Sequence, residues 1–146
     1  MSLFSTMSVS ASGMAAQRTR AELLVQNLAN SETTRTSEGG PYRRKDAVFS
    51  STPQAAEFSS AFQTAWQAQD EGVQVSEVVE DSRAPEKRYI PGHPDADKDG
   101  YVLFPRINPA EDMVDLMGAA RGYQGNIAAM AAIKDMIFRS IDLLKT

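Results

Sequence analysis

Apolar residues recur at alternating steps of three and four at both ends of the chain and lose that rhythm between them. Near the start the series is Phe4, Met7, Ala11, Met14, Arg18, Ala21, Val25 and Leu28; near the finish it is Met113, Leu116, Ala120, Tyr123, Ile127, Met130, Lys134, Ile137, Ile141 and Leu144. Such spacing draws one seam along a helix, and the seam has to be buried against another helix, as in a coiled coil. The pattern predicts a helix over 1–30, with no proline between 3 and 30 and Gly13 as its one breaker, and a second over 108–146. The second has clear start signals: Asn108 as N-cap, Pro109 at the first helical position and Glu111 where a capping box reaches back. Asp112 and Asp115 follow near its positive end, with Lys134, Arg139 and Lys145 toward its negative end.

The middle, 31–107, reads differently. Residues 31–41 are rich in Ser, Thr and Gly and end in Gly39-Gly40-Pro41, which predicts a loop. Tyr42 to Phe49 reads as a strand with a basic face from Arg43, Arg44 and Lys45. Phe58, Phe62 and Trp66, bracketed by Pro53 and Gly72, predict a short helix near 54–70. Val73, Val75 and Val79 predict a further strand, and Tyr101 to Phe104 the second strand of a hairpin-like region punctuated by prolines and glycines. The expected fold is mainly α with a small β-rich middle (α+β), the terminal helices pairing as a coiled coil and completed by assembly.

That last clause follows from surplus apolar side chains. Val9 and Leu23 in the first helix, and Val114, Met117, Ile133, Met136, Phe138 and Leu143 in the second, fall outside the seam. Burying each is worth roughly 1.5–3 kcal/mol, so leaving them wet forfeits stabilisation comparable to a domain's whole margin. Gly118, Gly122 and Gly125 each cost about 1 kcal/mol in a helix interior, which is understandable where a neighbouring backbone comes close. Arg18 and Lys134 interrupt the two seams at equivalent first-of-heptad positions; they either fix register or, more simply, extend to solvent.

Composition narrows the chemistry. With 146 residues, 42% hydrophobic and 23% charged, the chain can bury a core. Its net charge is −4: residues 1–30 carry +1 and residues 110–146 carry −1, leaving −4 to the middle. That balance argues against a nucleic-acid partner. Neither a run of eighteen apolar residues nor a Sec-type signal is present. The absence of cysteine excludes thiol chemistry, disulfides and Cys-ligated metals. Asp95, Asp97 and Asp99 followed by Gly100 match the front half of a calcium loop, but Arg106 stands where that loop needs a glutamate, and an Asp-rich turn is the simpler reading. His93, the sole histidine, sits between Gly92 and Pro94 and reads as turn chemistry rather than catalysis. Arg43, Arg44 and Lys45 read as an ion-pair surface. No phosphate loop, GxSxG or HExxH motif is present. The expectation is a non-enzymatic protein with no cofactor and no metal.

Four strings carry a family resemblance: Ser12 to Arg18 with Gln26 to Thr34, Gly40 to Lys45, Gly92 to Asp97 with Gly100 to Val102, and Arg121 to Asn126. Together, in this order across nearly the whole chain, they resemble the bacterial flagellar axial proteins, the rod and hook families, and among them the proximal-rod components of the basal body. The resemblance implies a building block of the drive shaft that crosses the periplasm and leaves the cell through the flagellar type III export apparatus. It implies terminal helices that order on assembly, self-association in the rod, and as partners the other proximal-rod subunits, the distal rod protein and the junction with the inner-membrane ring. Asn27, Asn30, Thr33 and Thr34 match the family's N-terminal motif, and Arg121, Tyr123 and Asn126 its C-terminal one. The expected assembly interface comprises Met7, Met14, Arg18, Leu23, Asn27, Leu28 and Asn30 on the first helix. On the second it comprises Met117, Gly118, Arg121, Gly122, Tyr123, Gly125, Asn126, Ile133, Lys134 and Phe138.

Overall fold

The structure, a computed structural model, describes residues 3–51 and 72–143. Among them the elements run α1 (Leu3–Ala29), β1 (Lys45–Ser51), β2 (Val73–Glu80), β3 (Glu86–Tyr89), β4 (Tyr101–Phe104) and α2 (Pro109–Leu143). An α+β arrangement results, with β1 paired to β2 and β3 to β4 in two separate two-stranded sheets. The short helix expected near 54–70 lies outside the described residues.

The helices begin and end for local reasons. Asn108 caps α2 by accepting from the Ala110 N–H at 3.2 Å, while its carbonyl takes the Asp112 N–H at 3.0 Å. Glu111 and Asp112 occupy the first turn, where the amides favour negative charge. At the end of α1 the Asn30 N–H donates to the carbonyls of Gln26 and Asn27, closing the last turn. The 27 residues of α1 span about 40 Å and the 35 of α2 about 52 Å. Strand β1 starts at Lys45 rather than Tyr42, so Arg43 and Arg44 precede it.

The chain divides into two compact units. Among the described residues the first comprises 3–19, 49–51, 72–76 and 119–143. Here α1 and α2 meet through small and polar groups: a Cβ on Gly13 would lie 3.1 Å from Asn126 Nδ2, and one on Gly122 would lie 3.2 Å from Gln17 Cδ. Ser10, Ala16, Ala119 and Ile133 are buried in this unit. Ser12 Oγ accepts the Val73 N–H at 3.0 Å.

The second unit comprises residues 20–48 and 77–118. Its interior holds Leu23, Leu24, Val102, Phe104, Pro105 and Ile107. Strand β4 alternates as a half-buried strand should, Val102 and Phe104 inward, Tyr101 and Leu103 outward. Its antiparallel register sets Tyr89 opposite Tyr101 and Glu86 opposite Phe104. The Tyr89 and Tyr101 rings meet edge to face at 5.3 Å, and the Arg88 guanidinium lies 4.9 Å from the Phe104 ring centroid.

One difference from the sequence expectation matters most. The positions used inside the chain on α1 include Ser10, Gly13, Gln17, Leu24 and Asn27; on α2 they include Asp112, Ala119, Gly122, Asn126 and Ile133. Each precedes a seam position by one residue, a rotation of about 100° around the helix. The seam is therefore split: Met7, Met14, Leu28, Leu116, Met130 and Ile137 are half-buried, while other seam positions stand open. Phe4 remains 74% exposed, Met113 52% and Ile127 47%. At Gly13 and Gly122 the physical reason is space, because the Asn126 and Gln17 side chains fill the room that a Cβ would take. Gly13, expected only as a breaker, is a contact residue, and what comes close to Gly122 is the Gln17 side chain of the same chain. Gly118 and Gly125 have nothing within 4 Å of where a Cβ would sit.

Gly100 closes the β3–β4 connection with φ +82°, and a Cβ there would lie 2.9 Å from Cε2 of Tyr89. Gly100→Ala is expected to lower stability by about 1–3 kcal/mol, from backbone strain and displacement of the Tyr89 ring. A thermal melt superimposable on the wild type contradicts this.

Candidate functional site

Asn27, on the last turn of α1, has no exposed surface, and its amide does the work of a strand neighbour. Its Nδ2 donates to the Lys45 carbonyl at 2.9 Å, and its Oδ1 accepts the Lys45 N–H at 2.9 Å. Tyr42 Oη donates to the same Oδ1 at 3.1 Å. Only a primary amide offers donor and acceptor in this fork. The clasp ties the end of α1 to the start of β1. Burial pushes the Tyr42 hydroxyl pKa up, and the nearby negative charges of Glu80 and Asp112 push it further.

The loop after α1 is held in the same manner. Thr33 Oγ1 donates to Asn30 Oδ1 at 3.2 Å, and the Tyr42 N–H donates to the Thr33 carbonyl at 3.1 Å. Thr34 Oγ1 donates to Asp95 Oδ2 at 2.7 Å, joining two of the sequence strings that lie 61 residues apart. Arg35 Nη1 adds an ion pair to Asp95 at 3.6 Å. Asp97 Oδ1 accepts the N–H groups of Asp99 and Tyr101 at 3.0 and 2.8 Å. His93 Nδ1 accepts the Asp95 N–H at 3.1 Å. The aspartates and the histidine thus brace a turn. Among the described residues no group of three His, Asp or Glu side chains is placed to hold a metal ion.

A charged node lies at the start of α2. Arg44 Nη2 is 3.1 Å from Asp112 Oδ1 and 3.8 Å from Asp115, and its Nε is 3.3 Å from Asp46. Arg20 Nη2 reaches Asp115 at 3.3 Å. Asp112 is buried, yet neither of its carboxylate oxygens receives a hydrogen bond. Burial raises its pKa, the Arg44 guanidinium opposes that, and the charges of Asp46, Asp115 and Glu111 reinforce it. Lys45 pairs with Glu80 at 3.4 Å. Arg44 and Lys45 therefore serve this chain's own ion pairs.

The expected interface residues separate by burial. Leu23, Asn27 and Ile133 are buried within the chain. Met7, Met14, Leu28, Asn30, Gly122 and Asn126 are half-buried, with Gly122 and Asn126 in the contact between α1 and α2. Arg18, Met117, Gly118, Arg121, Tyr123, Gly125, Lys134 and Phe138 are exposed. Lys134 Nζ lies 5.7 Å from the Phe138 ring centroid. Sequence reasoning missed Gln17, Tyr42, and the role of Asp112, which was readable only as a helix-terminus acid. The Gly40-Pro41-Tyr42 string was the available signal for Tyr42.

Comparison with known proteins agrees with this geometry. Residues 98–143, which hold β4 and α2, match the family described as flagellar basal body rod FlgEFG protein C-terminal. A flagellar basal-body rod protein FlgC of Bacillus subtilis is 37% identical, over 99% of this chain and 100% of the relative. The FlgC of Borreliella burgdorferi is 34% identical, over 99% of each chain, and that of Salmonella typhimurium 35%, over 98% of each. The chain belongs to the flagellar basal-body rod protein FlgC family. Its relatives are structural rod proteins, not enzymes. Among the described residues no helix is long and apolar enough to cross a membrane.

Two outcomes are expected of the FlgC-family clasp and node. Asn27→Ala strands the Lys45 amide group and should lower stability by about 2–4 kcal/mol in urea unfolding, with a loss below about 0.5 kcal/mol contradicting the clasp. For Asp112 the folded pKa lies above the unfolded value, so its carboxyl destabilises the fold at neutral pH, and that penalty is relieved as pH falls through the folded pKa, against the opposite trend of Asp81 and Glu86. Asp112→Asn should remove that penalty and match or exceed wild-type stability at pH 7. A stability difference between Asp112→Asn and wild type that grows as pH falls contradicts this reading.

Proposed function

We propose that this flagellar basal-body rod subunit is a proximal-rod component that carries torque across the periplasm through helical packing with its neighbours. It reaches the rod through the flagellar type III export apparatus. The observation that carries this reading is the outward seam: Phe4, Val25, Met113, Ile127 and Ile141 are exposed at helical spacing on the two longest elements described. A stripe of that kind is a docking face for further helices. Coiled-coil pairing then joins α1 and α2 of one subunit to those of others, while each chain holds itself together through its small and polar faces.

On this reading residues 1–30 and 108–146 are the axial helices, and residues 31–107 form a separate β-rich module. The interface is made by Met7, Met14, Arg18 and Leu28 on the first helix and by Met117, Gly118, Arg121, Tyr123, Gly125, Lys134 and Phe138 on the second. Leu23, Asn27, Asn30, Gly122, Asn126 and Ile133 support it from within. The partners are other copies of the chain, the other proximal-rod subunits, the distal rod protein and the junction with the inner-membrane ring. Torque needs contacts along the full helix length, which the long exposed stripes supply.

Gly118 and Gly125 provide the test, because they face open space. Gly118→Ala and Gly125→Ala should each stabilise the isolated chain by up to about 1 kcal/mol. In cells lacking the native gene, the same variants should reduce swarming and the amount of the chain recovered in purified basal bodies. Greater stability with unimpaired assembly contradicts a neighbouring backbone at these glycines.

A further inference from the structure

The β3–β4 hairpin carries opposite charges at its two ends. At the open end, where Glu86 faces Phe104, a cleft is lined by Arg43, Arg44, Arg83 and Arg106, with Asp81 and the Gly39-Gly40-Pro41 loop. Asp81 is fully engaged, since Arg83 donates to both of its oxygens at 2.6–2.9 Å, and this pairing holds its pKa down at about 2. Arg44 is spent on Asp112 and Asp46, and Glu86 on Arg88. Among the described residues no carboxylate lies within 4.0 Å of Arg43 or Arg106, although Asp81 and Glu86 feel the Arg106 charge from farther away. Glu111 borders Arg106 in an adjoining cleft. A Cβ on Gly39 or Gly40 would meet nothing within 4 Å, so the cleft stays open on that side.

At the turn end, beyond Tyr89 and Tyr101, Asp97 and Asp99 are exposed on either side of the exposed Lys98, so the turn tip carries a net negative charge. Asp97 is fixed by the two amides that its Oδ1 accepts, so the turn is rigid, and Asp99 has no side-chain partner among the described residues. The four paired positions between the two ends span about 10 Å, and the turn and the Arg106 segment add to that. Asp99 therefore does not pair with Arg106 of its own hairpin.

We propose that the Arg43–Arg106 cleft receives the Asp99 carboxylate of a second copy of this chain, so that adjacent copies meet head to tail through their β3–β4 hairpins. The proposal rests on the rod reading, which supplies adjacent copies. A head-to-tail contact joins two different patches of one surface and repeats around a ring or along a helix, which is the arrangement that unlike charges at opposite hairpin ends serve. Arginine is suited to the task, because its planar guanidinium binds a carboxylate through two parallel hydrogen bonds.

Charge reversal tests it in cells that lack the native gene. Wild type, Arg106→Glu, Asp99→Arg and the double variant are each supplied as the sole copy, and the chain is quantified in purified basal bodies. Each single reversal sets like charges across the contact and should reduce recovery about tenfold or more. The double variant restores opposite charges between copies and should return recovery close to wild type, with thermal melts of the four purified chains alike. Wild type missing from basal bodies overturns the rod reading and the inference with it. Wild type present, with unaffected single variants or a double variant no better than the worse single, overturns the inference alone. Should a reversal variant fail to fold, Arg106→Lys with carbodiimide treatment of basal bodies replaces it. A cross-linked dimer joined at Asp99 supports the contact, and cross-links confined to Asp81, Glu86 or Glu111 of the same chain overturn it.

Discussion

On α1 and α2 the Asn126 and Gln17 side chains can lie against the opposite helix only where that helix carries no Cβ, at Gly13 and Gly122, and much of the chain's organisation follows from that constraint. Gly13 meets the Asn126 amide, Gly122 meets Gln17, and Ala16 and Ala119 are buried in the same unit. Large side chains enter the buried face away from these glycines, at Leu23, Leu24 and Ile133. Phe4, Val25, Met113, Ile127 and Ile141, one residue further along each helix, are exposed. In a single soluble domain such an arrangement would waste apolar surface worth several kcal/mol. In a subunit of an assembly it separates two tasks: one face makes the chain, and the next makes the contacts.

The β-rich unit is organised by side chains that take backbone roles. Asn27 grips Lys45 through both atoms of its amide, and Asp97 captures two amides to shape the turn before β4. Thr34 reaches Asp95 across 61 residues of sequence, and that bond ties the loop after α1 to the turn that carries His93. These bonds act beside a small apolar interior of Leu23, Leu24, Val102, Phe104, Pro105 and Ile107. The charged node around Arg44 adds a buried carboxylate whose burial is opposed, not cancelled, by its guanidinium neighbour.

Much of this was legible in the residues. The start of α2 followed from Asn108-Pro109, the end of α1 was read one residue beyond Ala29, from the polar run that begins at Ser31, and β4 was read at its observed limits. The α+β class and the family resemblance followed from patterns and strings that lie on described elements. Which helical face turns inward was not legible. Hydrophobic periodicity reports where burial is favourable, whether within one chain or between chains, and glycine and alanine at a shared face leave no apolar signal of their own. The fate of Asp112 was hidden for a similar reason: an acid in the first turn of a helix is ordinary in sequence, and its burial depends on Arg44, 68 residues earlier. Asn27 stood in the family string, but its clasp on Lys45 is a property of three-dimensional register.

The account turns on the open seam positions facing away from the chain's own contacts, and adjacent positions on α2 test this directly because the protein has no cysteine. Maleimide labelling rates of Ile127→Cys and Asn126→Cys should be compared in the purified chain and in isolated basal bodies. The account predicts fast labelling at 127 and slow labelling at 126 in the purified chain, with 127 becoming protected on assembly. Faster labelling at 126 than at 127, or equal labelling at 127 before and after assembly, would contradict it.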